Sequence, residues 1–230
     1  MTFYEHLEEL RWRIIYSLAL SGVLAFISYF YMDALLEILI KPVGKVVFLE
    51  PSEAFFTRIK LSLYCGLFFA LPFILYQGWE FTVTALTVKE KRMLLKIVPA
   101  SYLLFSAGLL FSITLVIPSA LKFLTGFSSS TVVPMLSFSK YISFIFIFAA
   151  GFGIIFQLPV VSYIAGRMGI ISSGKMRGTR RYAIVVIFIV AGLITPGPDI
   201  FSQFAMAVPT LLLYELSILI VKAVERSPNG

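Results

Sequence analysis

Few residues in this sequence could do covalent chemistry, and each lacks a partner. The chain holds one histidine, His6, and one cysteine, Cys65. An intramembrane serine protease needs a histidine near a buried serine, and His6 lies outside every apolar run. There is no H-E-x-x-H for zinc hydrolysis and no glycine-rich phosphate loop. Cys65 stands alone in an apolar run, which leaves no disulfide framework and no cysteine metal site. What remains are carboxylates next to apolar runs. Glu5, Glu8 and Glu9 precede the first of these, in the stretch Phe3 to Arg13. At about 100° per residue, Phe3, Leu7, Leu10 and Ile14 share one stripe, with Glu5, Glu9 and Arg13 opposite. Glu9 is therefore expected to point outward, away from the packed face. The alternative is an i,i+4 pair of Glu9 with Arg13, worth a few tenths of a kcal/mol on a solvated helix. Glu90 stands among Lys89, Lys91 and Arg92, where it is a ready counter-ion. His6 reads as an exposed polar residue on a helix.

The elements that must position these acids follow from composition. A chain of 230 residues that is 59% hydrophobic and 13% charged cannot bury that much apolar side chain in a soluble core. It is expected to be an all-α polytopic membrane protein, a single integral domain over 1–230. Apolar runs with few or no charges, weighed against the roughly 20 residues of a span, place six helices: Ile14 to Met32, Ile59 to Phe81, Ile97 to Ala120, Tyr141 to Ala165, Ala183 to Ile194 and Phe201 to Val221. The acidic start lacks the basic region of a cleavable signal, so the first run is expected to persist as a helix. An even number of spans puts both termini on one side. That side carries 13 of the 19 Lys and Arg and the other carries 6, so the termini are expected in the cytoplasm.

Two external loops, 41–58 and 121–140, are expected to cap the outer end. In the first, Lys45 to Leu49 is β-like, Ser52 is an N-cap candidate, and Phe55 and Phe56 belong at the membrane surface. Pro72, Pro159 and Pro209 fall inside spans, where kinks are expected. From Ala183 to Ile194 the fifth span reaches about 18 Å against a hydrocarbon core of roughly 30 Å. The bilayer beside it is expected to be thinned, or a partner to shield it.

Taken in order, the residues resemble a family. The run His6-Leu7-Glu8-Glu9-Leu10-Arg11, the external Pro51-Ser52-Glu53-Ala54-Phe55-Phe56 with Lys60, the exit Tyr76-Gln77-Gly78-Trp79-Glu80-Phe81 and the loop Glu90-Lys91-Arg92 are similar to those of the TatC family. So are Gly151-Phe152-Gly153, Gln157-Leu158-Pro159, Arg180-Arg181-Tyr182, Thr195-Pro196-Gly197-Pro198-Asp199 with Phe201-Ser202-Gln203, and Pro209 with Leu213-Tyr214-Glu215.

The resemblance implies a six-helix, glove-shaped bundle with short fifth and sixth helices, in a bacterial-type inner membrane. It implies a receptor for twin-arginine signal peptides and core subunit of a translocase that exports folded cargo. The single-span proteins TatA and TatB would be its partners, with self-association, and the proton-motive force the driver. No enzyme activity, cofactor, metal or nucleic acid is expected. Glu9 and Glu90 match the glutamates read in the family as arginine receptors, with Phe81 supporting the peptide and Arg11 ordering Glu9 or a lipid phosphate. One exposed Glu to Arg contact is worth only about 0–1 kcal/mol, whereas two partly desolvated bidentate contacts bind better. Adjacent side chains of an extended peptide point to opposite faces, so two acids on separate segments suit an Arg-Arg pair. Lysine offers no planar fork.

Gln157 replaces the glutamate of many family members. An amide costs far less in the membrane than a carboxylate, and it can hydrogen-bond a partner helix. Glu80 and Glu215 lie near cytoplasmic helix ends, within reach of the interface. Glu215 with Gln157 is also a candidate for partner contact. Asp199 and Gln203, with Pro51 the external-turn candidates, could cap the sixth helix or meet a partner. Thr84 stands where the family often has proline. The rival reading is a secondary transporter of a small anionic solute.

Overall fold

The structure, a computed structural model, describes residues 3–84, 88–126, 135–195 and 200–226, with side chains except at 3 and 82–96. The helices are α1 (Phe3–Phe30), α2 (Met32–Ile40), α3 (Glu53–Thr84), α4 (Val88–Phe111), α5 (Ile117–Thr125), α6 (Phe138–Ile155), α7 (Leu158–Arg167), α8 (Ser173–Gly178), α9 (Arg180–Ile194) and α10 (Ile200–Glu225). Lipid offers backbone groups no hydrogen bonds, so apolar runs of this length close their bonds internally as helices. Tyr4–Phe30, Glu53–Phe81, Ile97–Thr125, Phe138–Arg167 and Ile200–Glu225 are long and apolar enough to cross a membrane. With α9 they make the six expected spans of an all-α, multi-pass membrane protein.

The fifth span is short, as expected: α9 has 15 residues, about 22 Å. The expected shortness of the sixth is corrected. α10 has 26 residues, about 39 Å: its shortness is implied by the resemblance alone, whereas the apolar run Phe201 to Val221 already reaches about 31 Å and the helix runs on through Lys222 to Glu225. The three prolines inside the expected spans sit differently in their helices. Only beside Pro159 is the helix interrupted, at Phe156 and Gln157, before α7 begins. α3 continues through Pro72 and α10 through Pro209, since one missing donor leaves the ladder on both sides intact. Near Pro209, the Thr210 hydroxyl donates to Met206 O at 2.7 Å. A π turn at Ser112–Val116 links α4 to α5, and there the Thr114 hydroxyl donates to Leu110 O at 2.6 Å.

By contacts the chain divides into two compact units, Met1–Tyr102 with Met135–Ser143, and Leu103–Pro134 with Phe144–Gly230. In the first, α1 packs along α3. Ser62, Gly66 and Ala70 recur every four residues as a stripe of small buried residues, the pattern that lets membrane helices approach closely. A Cβ on Gly66 would lie 2.6 Å from Ala25 Cβ. α2 is an element that no apolar run announced. It buries Met32 and Leu36 and exposes Asp33 and Glu37, and the Tyr141 hydroxyl donates to its terminal Leu39 O at 2.6 Å.

The β-like run reduces to a single bridge, Val47 with Ser137. Ser52 takes the N-cap place of α3, its carbonyl accepting from Phe56 N at 3.1 Å. The organiser of this loop is Glu53. Its Oε2 accepts from Leu49 N at 2.6 Å, and its Oε1 from Ser137 Oγ at 2.6 Å and Ser139 N at 2.8 Å. Phe55 and Phe56 are exposed. In the second unit α10 packs on α7, α8 and α9, and Met176, Ile218 and Val221 form a small core with Ile171 and Tyr214.

Candidate functional site

Close packing of α1 on α3 brings four polar side chains together near one end of the pair. Glu9 and Arg13 come from α1, Gln77 and Glu80 from α3, each pair spaced to share a helix face. Arg13 Nε and Nη2 donate to Glu9 Oε1 at 3.0 and 2.5 Å. Its Nη1 donates to Gln77 Oε1 at 2.5 Å and to Glu80 Oε2 at 2.9 Å. The Arg13 side chain is 15% exposed, Glu9 21% and Glu80 36%. Glu9 Oε2 is buried and accepts no hydrogen bond among the described residues. Among the described residues the cluster joins two carboxylates to one guanidinium, a formal charge of minus one.

This arrangement corrects the expected direction of Glu9. Of the apolar stripe of α1, Leu7 is 45% and Ile14 49% exposed and Leu10 is half-buried, while Glu9 and Arg13 turn inward. In lipid the apolar face meets the solvent and the polar face seeks protein, which inverts the rule that holds in water. The alternative pairing of Glu9 with Arg13 is the one present, though partly buried rather than solvated.

Arg11 does not order Glu9. It pairs with Glu8 at 3.3 Å, both more than 60% exposed, and lies over the Trp12 ring. His6 is half-buried rather than exposed, its ring stacked on Phe81 at 4.2 Å with 14° between planes. Phe81 thus has one face covered by α1. Trp79 Nε1 donates to Ser101 Oγ at 2.8 Å, tying this end of α3 to α4. Glu90 lies on α4, but its side chain is outside the described residues.

The other expected residues fall elsewhere. Gln157 occupies the break before α7, its carbonyl accepting from Val161 N at 2.9 Å. Gln203 stands in the first turn of α10, and the residues it would cap, 196–199, lie outside the described residues. Its Nε2 donates across to Phe188 O on α9 at 2.8 Å, and Gly192 leaves room for the amide, since a Cβ there would lie 3.0 Å from it. Glu215 accepts from Arg180 Nη2 at 2.5 Å, each side chain about half exposed. Pro51 is exposed in the turn before α3, and Asp199 is outside the described residues.

Beyond spacing, Gln77 carries no sequence signal of this role, and Glu80 only its place near the interface. Both are 64 or more residues from Arg13. The one local signal was their i,i+3 spacing in an otherwise apolar helix.

Comparison with known proteins places this arrangement. The family model described as Sec-independent protein translocase protein (TatC) matches residues 5–209. The protein of that name from Carboxydothermus hydrogenoformans is 42% identical, over 98% of this chain and 94% of its own. That from Aquifex aeolicus is 39% identical, over 98% and 97%. A crystal structure described as the twin arginine translocase receptor TatC has 38% identity and a TM-score of 0.87, covering 96% of this chain and all of that one. Matched almost from end to end in both sequence and fold, the chain belongs to the TatC family.

Proposed function

We propose that the chain is the twin-arginine signal-peptide receptor and core subunit of a Tat translocase, which exports folded proteins on the proton-motive force. It lies in a bacterial-type inner membrane with both termini in the cytoplasm, and the loops 41–58 and 121–140 cap the outer end. TatA and TatB are its partners, docking along α9 and α10. Beside α9, about 22 Å long against a core of roughly 30 Å, the bilayer is thinned or a partner helix shields it.

Glu9 and Glu90 each take one arginine of the signal. The observation that carries this reading is that Arg13, which occupies Glu9, has a second carboxylate, Glu80, and the Gln77 carbonyl as well. Removing the sole partner of a buried charge costs about 3–5 kcal/mol. Arg13 is spared that cost: a signal arginine can draw Glu9 away while Arg13 stays with Glu80 and Gln77. The resident guanidinium keeps the site occupied until a peptide arrives.

The test is photo-crosslinking of an Arg-Arg signal peptide to the protein in membranes. Glu9→Ala and Glu90→Ala are each expected to lower the yield at least several-fold, and a twin-lysine peptide to bind worse than the natural one. Undiminished yield in both variants would discard the site.

A further inference from the structure

Glu9 gives one oxygen to Arg13 and hides the other. Oε1 accepts both contacts from the Arg13 guanidinium, at 3.0 and 2.5 Å, while Oε2 is buried and accepts no hydrogen bond among the described residues. An oxygen buried without a donor costs free energy that an arriving guanidinium recovers. Yet Oε2 is shut off from any approaching group. A signal arginine therefore needs a neighbouring side chain to move first.

The neighbour placed to do so is the stack of His6 on Phe81. His6 precedes Glu9 by three residues on α1, so the two share a face and stand about 4.5 Å apart along the axis. Phe81 follows Gln77 by four residues on α3, on the face that brings Gln77 to Arg13. The rings lie 4.2 Å apart and 14° from parallel. They cross the seam between α1 and α3 one turn beyond Glu9, toward the start of α1 and the end of α3. At Gly66 that seam is closed by the backbones themselves. At His6 it is closed by two half-buried rings, which can part by changing rotamer while both helix axes stay in place.

We propose that the His6–Phe81 stack is a latch over the Glu9 site. Closed, it shields Oε2 and covers one face of Phe81. Open, it releases a carboxylate oxygen to a guanidinium and an aromatic face to an apolar part of the same peptide. His6 thereby sets the affinity, because a site that binds only when open is weakened by the fraction of time it is shut. The inference rests on the reading of Glu9 as a receptor for a signal arginine.

The test is titration of the purified full chain in lipid nanodiscs with a synthetic Arg-Arg signal peptide, read as Kd. His6→Ala, which removes the stack, is expected to tighten binding about five-fold, the factor set by one stacking contact of ordinary strength. His6→Phe, which keeps a ring against Phe81, should bind as the wild type does. In a Glu9→Ala background His6→Ala should bring no gain, since the gain acts through Oε2. Glu9→Ala alone checks the underlying reading: if it leaves Kd unaltered, the receptor site itself fails. Where Glu9→Ala does weaken binding, an unchanged or higher Kd in His6→Ala would overturn the latch alone, because a merely structural histidine loses affinity on removal.

Discussion

Arginine meets glutamate across two helices in both units of the molecule, with different burial. At the end of α1 and α3, Arg13 is 15% exposed and shared by Glu9, Glu80 and Gln77. Between α9 and α10, Arg180 and Glu215 are 48% and 47% exposed and pair with each other. Water can hydrate each member of the second pair when the other is lost. The members of the first cluster depend on one another, so that cluster can hold a charge in reserve while the other pair can only pin two helix ends.

Three substitutions break or sharpen this contrast. Arg13→Gln leaves two partly buried carboxylates facing each other and is expected to cost about 3 kcal/mol, read as a lower unfolding midpoint in detergent. A loss no larger than that of Arg180→Gln would erase the distinction between the two sites. Gly66→Val forces α1 from α3 at the small-residue stripe and is expected to cost about 1–3 kcal/mol. It should also weaken signal-peptide crosslinking, because the cluster is assembled across that contact; unaltered crosslinking would mean that it forms without close packing. Arg180→Gln should cost less than about 1 kcal/mol, with a further decrease in high salt. A cost of several kcal/mol would show that this pair is desolvated after all.

The spans were legible because hydrocarbon tolerates so few charges: each charge-poor apolar run is a helix, and the short fifth run stays short. The ends were less legible. Nothing in a hydropathy window marks α2, whose Asp33 and Glu37 alternate with buried Met32 and Leu36. The stripe Ser62, Gly66, Ala70 was present in the sequence and, read as small residues four apart, would have located the α1 contact on α3. The expected face of Glu9 is the wrong one because a helix in water packs by its apolar side, whereas in lipid the polar side turns to protein. Its pairing with Arg13 was readable from spacing alone. The link onward to Gln77 and Glu80 was not, since a single sequence does not state which faces of distant helices meet. The same holds for Glu53, which was legible as a helix start but whose bonds to Ser137 and Ser139 span more than 80 residues.

The central claim is that Glu9 exchanges Arg13 for an arginine of the signal. A double-mutant cycle tests it directly, pairing Glu9→Gln in the protein with Arg→Gln at each signal arginine and reading peptide affinity in membranes. The account predicts a coupling of at least about 1 kcal/mol between Glu9 and one of the two arginines. Additive losses at both arginines would contradict it.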